Sequence, residues 1–115
     1  MSMKTALMQA QKAFDQGEVP IGAVIVFQEQ IIAAAHNLCM TLNDATAHAE
    51  ILAIRQALKY LKQPFLLDCD VYVTLEPCAQ CAGALALARI RRLYFGAYDS
   101  KGGGVEHGAK VFEYS

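Results

Sequence analysis

The stretch Leu75-Glu76-Pro77-Cys78-Ala79-Gln80-Cys81 sets two thiols three residues apart, directly after a proline, in an otherwise apolar run. In the first turn of a helix, side chains at that spacing share one face. A helix N-terminus stabilises thiolates, and thiolates are ligands for zinc. Upstream, Thr46-Ala47-His48-Ala49-Glu50-Ile51 sets an imidazole and a carboxylate at the expected start of another helix. Two thiolates and one neutral imidazole cancel the charge of a dication. Three protein ligands leave a fourth position open for water, which zinc acidifies towards neutral pH. Glu50 is expected roughly 200° around the helix from His48. That puts it on the substrate side of the water, where a carboxylate can shuttle protons.

Two other chemistries fit the thiols. Cys78 and Cys81, after a strand and opening a helix, also suit a thioredoxin-like redox pair. A closed structural zinc site needs a fourth ligand, for which Cys39, Cys69, His36 and His107 are the candidates. A lone cysteine is more often a small buried hydrophobe, and neither His36 nor His107 is expected to bind metal. A redox pair keeps no metal through gentle purification. A closed site keeps zinc but turns nothing over.

The elements that must position these groups follow from periodicity. Met3, Ala6, Leu7, Ala10, Ala13 and Phe14 recur at helical spacing, and Gly17 ends that helix. The run 21–28 reads as a buried strand, Glu29-Gln30 as a turn and 31–36 as its hairpin partner. Residues 37–46 read as a loop, with Thr46 as helix cap. Ile51, Ile54, Leu58 and Leu61 mark a second helix, which stops before Pro64. The run 70–76 is a strand, and Pro77 suits the first helical position. The helix that follows is apolar on nearly every side, so it is expected in the core or at a dimer interface. Residues 92–97 are a further strand, then comes a Gly-rich loop, and 111–115 carry no clear signal. The order α-β-β-α-β-α-β implies crossover units: an α/β fold with an initial antiparallel hairpin and otherwise largely parallel strands. Ligands in such sheets sit at the strands' carboxyl ends.

With 115 residues, a single domain spanning 1–115 is expected. Hydrophobic residues make up 55% and charged residues 18%, which excludes a disordered chain and leaves apolar surface for an oligomer. A net charge of −1 gives no bulk attraction to polyanions, so nucleic-acid binding must rest on a local site. The four cysteines are too few for a disulfide scaffold. No signal peptide or membrane-spanning run is read, and a reducing cytoplasm is expected.

His48-Ala49-Glu50 with Pro77-Cys78-Ala79-Gln80-Cys81 matches the known H-x-E and P-C-x-x-C signature of the zinc deaminases. The wider runs EVPIGAVIV, NDATAHAEILAIRQA, VYVTLEPCAQCAGA and ARIRRLYFGAYDSKGG resemble the bacterial tRNA-specific adenosine deaminases, in the cytidine/deoxycytidylate deaminase superfamily. The resemblance covers about residues 5 to 110. It implies a three-layer α/β/α fold, a homodimer and adenosine-to-inosine conversion at the wobble position of a tRNA anticodon stem-loop. It implies Zn2+ held by His48, Cys78 and Cys81, with Glu50 as proton shuttle. Asn37, Ala49, Asp99 and Lys101 become substrate-binding residues: Asn37 bonds the flipped-out nucleotide, and Asp99 and Lys101 face the RNA backbone. On the residues alone, Asn37 also reads as a turn residue, Asp99 as an organiser of the glycine loop and Lys101 as a solvated lysine. Arg89, Arg91 and Arg92 read as structural.

The chain departs from the family at Gln80, where a methionine is common, and at Tyr98. The family's fifth strand and C-terminal helix are expected to be missing, leaving a sheet edge exposed. The same site would serve a deaminase of a free base or nucleoside, of guanine or cytosine type. A silent RNA-binding or dimerisation module that keeps zinc for stability is the reading from another class. An intact Glu50 argues against it, since only proton transfer needs that carboxylate.

Overall fold

The computed structural model describes residues 2–99, 101–106 and 112. Its strands are β1 (Gly22–Phe27), β2 (Gln30–His36), β3 (Cys69–Val73) and β4 (Arg92–Phe95). Its helices are α1 (Ser2–Asp15), α2 (Cys39–Leu42), α3 (Ala49–Leu61) and α4 (Ala79–Ala88). The hairpin turn is Gln28-Glu29, one residue earlier than expected, with φ of 50° and 66°. Two left-handed residues match the twist of the flanking strands, as in a type I′ turn.

The strands lie in the order β2-β1-β3-β4. β1 pairs antiparallel with β2 (Ala23 opposite Ala35) and also with β3 (Ala23 opposite Val73). β3 and β4 pair in parallel, Val71 beside Leu93. The mixed sheet with its opening hairpin is thus as expected. Among the described residues only one ladder is parallel, fewer than expected, because β1 sits between β2 and β3. Yet β2, β3 and β4 all point the same way, so α3 and α4 both start at the same edge of the sheet.

Alternate strand residues face opposite layers. Ala23, Ile25, Ala33, Ala35, Val71 and Val73 share a buried cluster with Ala49, Ala53, Ile54 and Ala57 of α3 and with Leu85 and Ala88 of α4. Gly22 faces α1: a Cβ there would lie 2.0 Å from the Ala6 carbonyl oxygen and 2.6 Å from the Ala10 nitrogen. The result is three layers, α/β/α. Close approach explains which helix face is buried. In α1 it is Ala6, Ala10 and Ala13, while Leu7 and Phe14, read from spacing as the same face, stay exposed. In α3 the alanines again lie innermost, and Ile51, Leu58 and Leu61 are half-buried flanks. In α4, Cys81, Ala82, Leu85 and Ala88 are buried but Leu87 is exposed.

Three further local readings change. β3 ends at Val73 rather than residue 76, and β4 at Phe95 rather than residue 97. The loop at 37–46 contains the short helix α2. Its Met40 and Thr41 N–H groups donate to the Glu18 carboxylate, as does the Thr41 hydroxyl. A helix anchored from that distance in sequence leaves no local pattern. Of residues 111–115, which carry no clear sequence signal, only Phe112 is among those described, and it packs against the core.

Candidate metal centre and active site

α3 and α4 deliver the chemistry from their first turns. His48 is the N-cap of α3 (φ −72°, ψ 153°) and Cys78 the N-cap of α4 (φ −70°, ψ 174°). Thr46, expected as the cap, instead turns its loop: its N–H and hydroxyl both donate to Asp44 Oδ1, at 2.9 and 2.6 Å. Pro77 stands before the cap rather than at the first helical position. Extended backbone at both caps swings the side chains of His48 and Cys78 past the helix ends towards each other. Cys81, buried in the first turn of α4, completes the group.

His48 Nδ1 lies 3.2 Å from Cys81 Sγ and 3.6 Å from Cys78 Sγ. All three donor atoms fall within 4.8 Å of one another. A tetrahedral zinc with ordinary Zn–N and Zn–S bonds sets its nitrogen and sulfur ligands about 3.6 Å apart. The three side chains therefore fit such an ion in both spacing and chemistry, one imidazole and two sulfurs.

Glu50 is 4% exposed, and its Oε1 has no hydrogen-bond partner among the described residues. Since His48 is extended rather than helical, the 200° expectation does not apply, and Glu50 lies in the field of both His48 and Cys81. Burial pushes its carboxyl pKa up, against the opposing pull of its own backbone N–H, His48 and Cys81. The Cys81 thiol is also pushed up, by burial first and then by the charges of Glu50 and Cys78. A dication among these groups offsets that crowding of negative charge.

The candidates for a fourth ligand lie elsewhere. Cys39 donates its thiol hydrogen to Asn37 Oδ1 at 3.2 Å. Cys69 is in the buried cluster beneath α3 and α4. The His36 ring nitrogens meet Gln9 Oε1 at 2.9 Å and Gln16 Oε1 at 3.1 Å, tying β2 to α1. His107 lies outside the described residues.

Asn37 is buried just after β2, and its N–H donates to the Ile21 carbonyl at 3.1 Å. Ala49 is fully buried at the first position of α3. Asp99 shapes its own loop: Oδ1 accepts from the N–H groups of Lys101 (3.1 Å) and Gly102 (2.9 Å). Lys101 is exposed. Arg91 pairs with Asp70, and the Arg89 guanidinium sits 4.1 Å over the Phe65 ring, so both have structural work.

Two buried acids carry more of this region than their sequence context suggests. Glu18 holds α2, next to Asn37. Glu76, 2% exposed, precedes Pro77-Cys78, and its carboxylate accepts N–H groups from Asp99, Val105 and Glu106. The available signal was an acid in an apolar stretch beside the paired thiols.

A sequence profile of the MafB19-like deaminases matches residues 1–112. The tRNA-specific adenosine deaminase of Agrobacterium fabrum is 54% identical over 110 residues, 96% of this chain and 72% of that protein. That of Aquifex aeolicus is 52% identical over 103 residues, 90% of this chain and 68% of the relative. A solved structure from work on A-to-I editing by tRNA:A34 deaminases superposes with a TM-score of 0.95 at 53% identity, covering 96% of this chain and 85% of that one. Guanine deaminase from Bacillus subtilis superposes with a TM-score of 0.82 at 42% identity, over 84% of this chain and 62% of that one. The chain therefore belongs to the tRNA-specific adenosine deaminase family.

Proposed function

We propose that this protein hydrolyses adenosine to inosine at the wobble position of tRNA, releasing ammonia. The observation that carries this reading is the buried Glu50 carboxylate, with Oε1 lacking a partner among the described residues, set beside the His48–Cys78–Cys81 cluster. In this reading those three residues hold Zn2+. When bound there, zinc supplies the Lewis acidity that makes water a nucleophile near neutral pH. Glu50 takes a proton from the attacking water and passes it to the purine ring nitrogen. It then takes the second proton, from the hydroxyl now on C6, and hands it to the departing amine, so water's oxygen ends on C6 and nitrogen leaves as ammonia. Ala49, between His48 and Glu50 in the first turn of α3, is read as a substrate-binding residue.

Asn37 is read as a hydrogen-bonding partner of the flipped-out nucleotide, Lys101 as a charge facing the RNA backbone, and Asp99 as the residue that shapes the Lys101 loop. A homodimer in the cytoplasm belongs to the same reading. Leu87, 78% exposed on α4, and Met40, 75% exposed on α2, supply apolar surface for a contact between copies. Among the described residues no helix is long and apolar enough to cross a membrane.

The likeness to guanine deaminase supports a second reading, in which the same site deaminates a free base. One panel decides between them. The zinc-loaded protein is offered an anticodon stem-loop with adenosine at the wobble position, beside free adenine, guanine, cytosine and their nucleosides, and products are scored by mass. Inosine from the stem-loop alone supports tRNA editing; turnover of a free base alone overturns it.

A further inference from the structure

The residue that ties the glycine loop to the metal-side helix is Glu76. Its Oε1 accepts the Asp99 N–H at 3.1 Å, and its Oε2 accepts those of Val105 and Glu106 at 3.1 and 2.8 Å. The backbone adds three bonds around it: Glu76 N–H to the Ala97 carbonyl, Gly103 N–H to the Asp99 carbonyl and Gly104 N–H to the Pro77 carbonyl, at 2.8, 2.9 and 2.7 Å. The glycines are there for proximity. A Cβ on Gly103 would lie 2.4 Å from the Glu76 carboxyl carbon, and one on Gly104 would lie 2.6 Å from the Ala79 nitrogen. Residues 99 and 101–106 contribute to no sheet or long helix, so most of the N–H groups described there end on two carboxylates, Glu76 and Asp99. A buried carboxylate left without these donors would carry a desolvation cost it cannot recover.

We propose that Glu76 is a positioning residue for the substrate: it closes the glycine loop onto the Cys78 end of the site and so fixes where Lys101 meets the RNA backbone. This rests on the reading of tRNA as substrate. Only a carboxylate offers two acceptor oxygens in that place. Glutamine would turn an NH2 group towards one set of loop donors. The three metal donors take no part in these bonds, so loosening the loop leaves the metal in place and weakens binding of a substrate long enough to reach Lys101.

The test compares wild type, Glu76→Gln and Gly103→Ala. Gly103→Ala attacks the same closure from the loop side. The readouts are zinc per chain, KM and kcat on the wobble-adenosine stem-loop, and amide hydrogen exchange. In wild type the amides of Asp99, Val105 and Glu106 should exchange more slowly than those of Lys101 and Gly102, which are held only at the exposed Asp99 turn. In both variants that protection should be lost and KM should rise about tenfold, with kcat changed less than about threefold and zinc retained. Zinc lost together with activity, kcat lowered at unchanged KM, or fast exchange at all five amides in wild type would overturn the proposal. If Glu76→Gln does not fold, Gly103→Ala and the wild-type exchange pattern still decide. If wild type makes no inosine from the stem-loop, the substrate reading fails, and the exchange pattern judges the loop closure separately.

Discussion

Arg91 grips Asp70 through two parallel bonds, Nε to Oδ1 at 2.9 Å and Nη2 to Oδ2 at 2.8 Å. The pair joins the start of β3 to the segment leading into β4. The guanidinium holds the Asp70 carboxyl below its ordinary range, first through those hydrogen bonds, with burial opposing. An aspartate in the unfolded chain titrates at about 3.9. The pair therefore adds stability at any pH above about 4, and that stability is lost as the pH falls through the lower native value. Asp70→Asn should lower the urea midpoint near neutral pH, and its gap from wild type should narrow below about pH 4. A gap that stays constant into acid would show that the pair does not carry the effect.

Glu50→Ala removes the proposed proton carrier and leaves the three metal donors intact. Turnover should fall by about a hundredfold to ten-thousandfold, the range for lost general acid–base catalysis. Zinc content and thermal midpoint should stay close to wild type. The check is inosine formation beside metal analysis on the same preparation.

His48→Ala and Cys78→Ser each remove one metal donor. Purified under reducing conditions, both should retain less than about a tenth of the wild-type zinc, and a chelator should lower the thermal midpoint of wild type but hardly that of either variant. Wild-type protein that carries no zinc, yet reversibly oxidises Cys78 and Cys81 to a disulfide, would move the site to the redox chemistry the spacing also allowed.

Gly22→Ala places a methyl group 2.0 Å from the Ala6 carbonyl oxygen, which is backbone and cannot step aside cheaply. The cost is expected to be at least the 1–3 kcal/mol of ordinary overpacking, roughly. Denaturant unfolding measures it. A neutral result would mean that α1 lies further from β1 than the structure places it.

Much of this was legible in the sequence, and the rest was hidden for physical reasons. Element order followed from periodicity, and His48, Glu50, Cys78 and Cys81 stood out because few other roles explain those residues together. The wrong helix cap came from a local rule: Thr46 is a good capping residue, but Asp44 engages it. Spacing alone puts Leu7 and Phe14 on the buried face. Gly22 draws α1 so close that only alanines fit beneath it. The glycine loop is legible as a loop, but α2 and the way that loop is anchored are not, because each is held by a carboxylate from far along the chain, Glu18 in one case and Glu76 in the other. Buried acids that bond mainly distant backbone leave no periodic trace.

Hydrolysis of adenosine in RNA at this site would place an oxygen from water on C6 of the base. The most direct measurement is to run the zinc-loaded protein on the wobble-adenosine stem-loop in heavy-oxygen water and to weigh the nucleosides released by digestion. The expected result is inosine carrying one heavy oxygen, formed by wild type and at least about a hundredfold more slowly by Glu50→Ala. Unlabelled inosine, or a stem-loop left as adenosine while a free base is consumed, would contradict it.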